Sequence, residues 1–287
     1  MPLWSGIVLP REGGSDPDLK LTAATPEVYL ERRYPGDYTA TGLDQTDIMA
    51  ALATPALTDG PPLVLDTESS GTAIDYTMED SEDRSILAGM QEVAGMEGGP
   101  EWTIDTQWAD AAQTRFELVL RIHPTIGTIR EQPAAIFDLP GCLHRYTLLE
   151  SYERGRGATR VIARGERSSD TRASSDVYSA DALLAGGWPL WEDRITPASG
   201  ITDVAQLNRH AAEAIGLMGT GSKAWSLEAV ASRAPRLGVD WVLGDSVGVD
   251  VTSSPRHPDG VQLVSRAFAW SLDVGTDRVV PILLEDG

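Results

Sequence analysis

Between Lys223 and Leu284 the chain reads "KAWSLEAVAS", "GVDWVLG", "DSVGVDVTS", "VQLVSRAFAWSLDV" and "DRVVPILL", five short segments separated by turn residues. Side chains of a strand point alternately to opposite faces, so period-two alternation in pieces this short fits sheet and little else. Several such pieces in succession predict a barrel or sandwich. The same signature occurs upstream. "PEWTIDTQW" and "RFELVLRIH", joined by "ADAAQT", predict a half-buried hairpin in which Phe116, Leu118, Leu120 and Ile122 alternate with Arg115, Glu117, Val119 and Arg121. "HRYTLLESYERG" and "GATRVIARGERSS" predict a second hairpin around Gly155 and Gly157, and the Ser/Asp/Ala/Gly-rich stretch "SSDTRASSDVYSADALLAGGWPLWEDR" predicts an irregular excursion.

Helices interrupt the strands at three places. "TATGLDQTDIMAALATPAL" predicts a helix opened near Asp44, with Ile48, Met49 and Leu52 on one side and Pro55 ending it. In "EDSEDRSILAGMQEVAGMEGG", Asp80 or Ser81 is the expected cap, Ile86, Leu87, Met90, Val93 and Ala94 recur at helical spacing, and Gly95, Gly98 and Gly99 stop it. "ITDVAQLNRHAAEAIGLMGTG" offers Thr202 or Asp203 as cap, an inner stripe of Val204, Leu207, Ala211, Ile215 and Met218, and Gly219 as stop. The prolines bracketing "QPAAIFDLPGC" suit neither a helix nor a central strand, which places a domain junction there. The fold class expected is mainly β with short helices (α+β), in two domains, 1–135 and 136–287.

Charge narrows the function. Residues 1 to 110 carry 21 Asp and Glu against five Lys and Arg, a net of −16 out of −20 for the whole chain. Such a surface repels nucleic acid, which argues against a protein that holds DNA through phosphate contacts. Between Arg145 and Arg172 seven arginines meet four acids, a mildly basic stretch that suits either an acidic neighbour or a solvated, salt-bridged hairpin. The apolar runs are too short to span a bilayer, and the apolar opening lacks the basic lead-in of a secretion signal.

Candidate chemistry is sparse. Gly244-Asp245-Ser246 could hold a nucleophile, but the flanking alternation of Val239, Trp241 and Leu243 with Val247, Val249 and Val251 predicts a tight turn between two strands, without the strand-to-helix elbow a hydrolase serine uses. His123, His144, His210 and His257 have no partner at metal-site spacing, and the single Cys142 reads as a small buried hydrophobe. "LDTESSGT" has Glu68 where an aspartic protease has glycine, and no second copy occurs. "EDSEDR" lacks the ligand pattern of a calcium loop, and "GRGA" lacks a phosphate-loop context. The expectation is a non-enzymatic chain with no catalytic residue, cofactor or metal. The rival reading is a hydrolase or carbohydrate-binding β protein acting at the host cell surface, with exposed Trp188 and Trp191 stacking on sugar.

The order of "WSG", "YLERRYPGDYTATGLDQTDI", "SILAGMQEVAGMEGGPEWTID", "FDLPG", "ESYERGRGATRVIARGE", "WPLWEDR", "QLNRHAAEAI", "PRLGVDWVLGD" and "RAFAWSLDV" resembles the minor tail proteins of siphophages that infect actinobacteria, themselves similar to the baseplate hub, or tail-tip, proteins of long-tailed phages. The resemblance runs from Trp4 to Leu283 and brings no catalytic residues. It implies small β-barrel hub domains with inserted helices, an acidic first domain with a helical insert and a barrel-type second domain with one long helix. It further implies a ring, a homotrimer, at the tail tip of a virion made in the bacterial cytoplasm. The partners implied are a distal tail or tail-tube protein, a tape measure protein and receptor-binding or tail-fibre proteins, with DNA passing through unbound.

Overall fold

A computed structural model describes residues 2–15, 17–168, 171–197 and 201–284. The fold is mainly β with a few short helices, as the alternation predicts, and it divides into two compact units, residues 1–125 and residues 126–197 with 201 onward.

The first unit opens with a two-stranded antiparallel ribbon, β1 (Ile7–Glu12) and β2 (Lys20–Ala24), followed by a short helix, α1 (Glu27–Glu31). Next come β3 (Tyr38–Asp44), α2 (Gln45–Ala53), β4 (Leu63–Thr67), β5 (Ala73–Met78) and α3 (Ile86–Ala94). The expected hairpin closes the unit as β6 (Glu101–Trp108) and β7 (Phe116–His123), in register from Glu101 opposite His123 to Trp108 opposite Phe116. Strand β4 adds in parallel to the other edge of β7, and β3 pairs antiparallel with β5. The core is the stripe of α2 (Ile48, Met49, Leu52) and of α3 (Ile86, Met90, Val93) set against Leu118, Leu120 and Ile122. Helices α2 and α3 approach closely because Gly89 has no side chain. A Cβ there would sit 3.1 Å from a Leu52 methyl and 3.2 Å from the Met78 sulfur.

Asp44 caps α2 as expected, accepting from the Thr46 amide at 2.9 Å. The cap of α3 differs from expectation: it is Ser85, which accepts from the Ala88 amide at 3.2 Å, while Asp80–Glu82 form a separate 3-10 turn and Asp83 takes a left-handed φ of 50°. The cause lies in Arg84. Turning the chain at Asp83 lets Arg84 run inward to ion-pair with Glu92, whose Oε2 also accepts from the Tyr76 hydroxyl at 2.9 Å.

The second unit is built on one six-stranded sheet in the order β8 (Ile136–Leu139), β15 (Ser246–Val251), β16 (Val261–Asp273), β17 (Arg278–Leu284), β14 (Ser222–Val230) and β9 (Leu143–Ser151). Strand β8 runs parallel to β15 and the remaining pairs are antiparallel. The end strands β8 and β9 share no ladder, yet only Pro140, Gly141 and Cys142 join them. Six strands laid flat span about 24 Å between their outer members, and such a link reaches at most about 15 Å. The sheet must therefore curl towards a barrel, with an unpaired seam between β8 and β9. Its inner face holds Phe137, Trp225, Trp241, Val247, Val249, Ala267 and Leu283.

Between β9 and β14 lie β10 (Arg160–Ser168), β11 (Thr171–Ser174), β12 (Tyr178–Ser179), α4 (Asp181–Ala185), β13 (Glu192–Ile195) and α5 (Val204–Met218). The expected β9–β10 hairpin does not form. Strand β9 pairs with β14, and β10 pairs with β11, β12 and, in parallel, β13. The Gly155–Gly157 link instead carries the chain from one sheet to another, and Asp193 holds it by accepting from the Gly155 amide at 2.7 Å. The stretch expected to be irregular is instead ordered around β10, contributing β11, β12, α4 and β13; Ser169 and Asp170 within it lie outside the described residues. Helix α5 begins at Asp203, which accepts from the Ala205 amide at 3.0 Å, and buries Leu207 and Ala211.

Candidate assembly surface

Each residue that carried a possible chemistry has a structural occupation. Ser246 is the first residue of β15 and is buried; its Oγ accepts from the Arg130 amide at 3.0 Å. Gly244-Asp245 is a turn, with the Asp245 amide donating to the Val242 carbonyl at 3.2 Å and Gly244 at φ 85°. The turn does not join two strands, however. Residues 238–243 form turns and a lone bridge between Leu237 and Trp241, because Trp241 is drawn inward, donates its indole N–H to the Pro235 carbonyl at 3.0 Å and packs edge-on against Phe137. The Gly244 turn meets a second chain segment backbone to backbone: a Cβ on Gly127 would lie 2.3 Å from the Gly244 carbonyl carbon, and one on Gly244 would lie 2.1 Å from the Ile126 oxygen. Asp245 secures the crossing by accepting from the Thr128 amide at 2.7 Å.

The "LDTESSGT" loop proves to be a scaffold for α2. The Ser69 and Ser70 hydroxyls and the Ser70 and Gly71 amides all converge on the Asp44 carboxylate. Burial alone would raise that carboxyl, but the hydrogen bonds from Ser69, Thr46 and Ser70 outweigh it and hold it at about 2. Asp66 of that loop pairs with Arg121 and lies 3.3 Å from His123 Nε2, with Glu68 3.7 Å from the other ring nitrogen. These partners come from β4 and the residue that follows it, beside β7 in the sheet, where spacing along the sequence could not reveal them. Among the described residues no group of three or more His, Cys, Asp or Glu is placed to hold a metal ion.

His144 is exposed, and His210 is buried on α5. His257 stacks on Trp225 and Tyr146, its Nδ1 lying 2.6 Å from the Tyr146 hydroxyl, which in turn lies 2.5 Å from Ser254 Oγ. Cys142 is buried, and that burial pushes its thiol up to about 11, which leaves it protonated and unreactive at neutral pH. No helix among the described residues is long and apolar enough to cross a membrane.

What the surface does offer is apolar. The β1–β2 ribbon has no buried residue, and Val8, Leu9, Leu19 and Leu21 on it, with the preceding Leu3 and Trp4, are about half exposed. A lone two-stranded ribbon is marginal in water, so one that displays four large aliphatic side chains is suited to a neighbour. Sequence reasoning missed this ribbon; its signal is the turn-rich "REGGSDPD" between "GIVLP" and "LKLTAA". The seam of the curled sheet is a second such place. A groove of about 610 Å³ runs beside the unpaired edge of β9, lined by Leu139, Tyr146, Leu148, Leu149 and Pro255 and rimmed by Arg145, Glu150 and Arg256.

No family model matches the chain, and no curated protein matches it in sequence. Solved structures do. A tail protein from Neisseria meningitidis aligns with 99% of this chain and 81% of its own length at a TM-score of 0.59 and 15% identity. A prophage tail protein from Listeria monocytogenes aligns with 99% of this chain and 78% of its own at 0.55 and 10% identity, and one from Shewanella oneidensis with 98% and 76% at 0.56 and 14%. The fold is thus one shared with phage tail proteins.

Proposed function

We infer that this chain is a structural virion component, a hub or minor tail subunit of a siphophage of the kind that infects actinobacteria. In this reading the first unit forms an acidic hub domain and the second a barrel-type hub domain, their boundary at 125/126, some ten residues before the junction expected at 135/136. Three copies close a ring at the distal end of the tail tube, in the tail tip. One observation carries the reading: the likeness to tail proteins spans nearly the whole chain, so it includes the helical insert and the excursion as well as the sheet. The partners are a distal tail or tail-tube protein and a tape measure protein on one side and receptor-binding or tail-fibre proteins on the other. The role requires no catalytic step.

Closed cyclic symmetry is how one chain type makes a ring, and an unpaired edge at β9 together with an exposed apolar ribbon supplies the kind of surface such closure covers. The acidic excess of residues 1 to 110 suits a channel wall, since phosphates sliding past carboxylates find no counter-charge to hold them. A reconstruction of the tail carrying this protein tests both statements. A trimer whose lumen is lined by Asp and Glu of residues 1 to 110 is expected. A monomer or open filament overturns the ring, and a lumen lined by the Arg145–Arg172 stretch overturns the passage of DNA along acidic walls.

A further inference from the structure

Of the exposed aromatic side chains, three are close together in the sequence-adjacent stretches around β10: Tyr152, Trp188 and Trp191 are 40%, 43% and 55% exposed. They sit on neighbouring stretches of the second unit: Tyr152 and Trp188 are held by ring contact, and Trp191 by its backbone. Tyr152 and Trp188 lie ring against ring, with centroids 5.3 Å apart and planes at 40°. The Tyr152 hydroxyl donates to the Thr220 carbonyl at 2.8 Å, and its ring occupies room that only glycines leave: a Cβ on Gly157 would lie 2.8 Å from it and one on Gly221 2.6 Å.

Trp188 follows the close of α4, where Gly187 takes φ 91° and the Trp188 amide donates to the Leu183 carbonyl at 3.0 Å. Thr159 then pins the turn that carries Trp191. Its Oγ accepts from the Trp191 amide at 2.7 Å and donates to the Pro189 carbonyl at 2.9 Å, and its own amide donates to the Trp191 carbonyl at 2.9 Å. The hydrogen bonds therefore hold the backbone of "WPLW" still while leaving both indoles in solvent.

The same stretch supplies polar groups. Arg160 donates its amide to the Trp191 carbonyl at 3.1 Å, and its side chain is one-third exposed, with an enclosed Nε that has no protein acceptor. Glu192, next to Trp191, pairs with Arg194 at 2.9 Å and is partly exposed. These charges are ion-paired with one cation in excess: Arg154 meets Asp193, and Arg160 and Arg194 share Glu192.

Exposed aromatic rings on a held backbone, with ion-paired polar groups beside them, match one ligand chemistry well. A pyranose ring carries C–H bonds on its faces and hydroxyls around its rim; the C–H face lies against the electron-rich face of an indole, and the rim exchanges hydrogen bonds with side chains. We propose that Tyr152, Trp188 and Trp191 form a binding platform for a neutral glycan chain with equatorial hydroxyls. Pre-ordering matters here, because a platform already held by Thr159 and by Gly157 and Gly221 loses little freedom when the sugar docks.

The test titrates the full chain with cellohexaose and chitohexaose, following tryptophan emission and heat. Binding to at least one is expected, with Trp188→Ala and Trp191→Ala each weakening it roughly tenfold or more. Trp4→Ala, which removes an exposed indole elsewhere, should leave it unchanged. Urea midpoints of all variants establish that they fold, and Trp188→Phe, which keeps an aromatic plane, should retain part of the affinity should Trp188→Ala misfold. Failure of the wild-type chain to bind either sugar, or equal binding by the Trp188→Ala/Trp191→Ala double variant, overturns the platform. So does a double variant that is merely lost from tail particles while the wild type binds no sugar, which marks the surface as a protein contact. None of these outcomes bears on whether the chain is a tail component.

Discussion

Residues 1–125 bury Met49, Met78, Met90 and Met96 at 2% exposure or less, whereas the largest fully buried side chains beyond residue 125 are Trp225, Trp241 and Phe137. The contrast follows from what surrounds each core. In the first unit two short helices lie against two small sheets, and the space between such elements is irregular; unbranched thioethers adapt to it. In the second, one curled sheet offers its inner face as a continuous surface on which flat rings stack, as Tyr146 does on Trp225 at 5.2 Å. Adaptable side chains tolerate exchange, while rings fitted to a sheet and to each other do not.

The largest effect is therefore expected at Trp241. Trp241→Ala should cost about 3 to 5 kcal/mol in the urea unfolding of the second unit, since it removes a ring 1% exposed along with its hydrogen bond to Pro235. Met90→Leu in the first unit should cost less than about 1.5 kcal/mol. Equal costs at the two sites would break the comparison.

Next in size is Glu92, whose removal leaves the buried Arg84 with the less buried Glu82, 3.2 Å away, beside the Tyr76 hydroxyl; burial has already pushed that hydroxyl up to about 12. Glu92→Ala should destabilise the first unit by about 3 kcal/mol, and Arg84→Met with Glu92→Leu should recover most of it. A single-variant midpoint close to wild type would mean that solvent reaches the pair and that this core is looser still.

Asp44→Ala should cost about 1 to 2 kcal/mol by uncapping α2 and freeing the Ser69–Gly71 loop. The folded Asp44 carboxyl is lowered from 3.8 to about 2, so its contribution is full above the ordinary value and is lost as pH falls through that window. The gap between wild type and Asp44→Ala should accordingly shrink between those two pH values, and a gap independent of pH would show that the carboxylate charge plays no part.

The smallest effect is expected at Ser246→Ala, about 1 kcal/mol for the acceptor lost by Arg130, with tail assembly and infectivity intact. An esterase or peptidase activity that vanished with this substitution would overturn the turn reading of Gly244-Asp245-Ser246.

The sequence was most legible where local pattern and tertiary role coincide. Strands β6, β7, β14, β16 and β17 and helices α2 and α5 follow from alternation, helical spacing and caps, but not every face is the one expected: Phe116 and Val204 are 52% and 47% exposed, while Val119 is buried because β7 is covered on both sides. Strands β1 to β5 escaped notice: they are short, β1 and β3 contain bulges, and neither β1 nor β2 buries anything. The segment around Trp241 misled for the opposite reason. Its alternation is genuine, but the indole is more useful plugged into Phe137 than aligned in a ladder. The occupations of Asp44, Asp66 and His123 depend on partners from other segments, which no spacing along one segment encodes. Exposure of Trp188 and Trp191 was expected from the sequence, but the seat of Tyr152 between Gly157 and Gly221 was not.

The crossing of Gly127 and Gly244 has a genetic consequence. Most core lesions can be compensated by a neighbour that shrinks to make room, but here each residue touches the other's main chain, and nothing smaller than glycine exists to retreat to. A selection for second-site revertants of Gly127→Ala should therefore return only true reversion or changes that move the Thr128–Asp245 tether as a whole, and never a substitution at position 244.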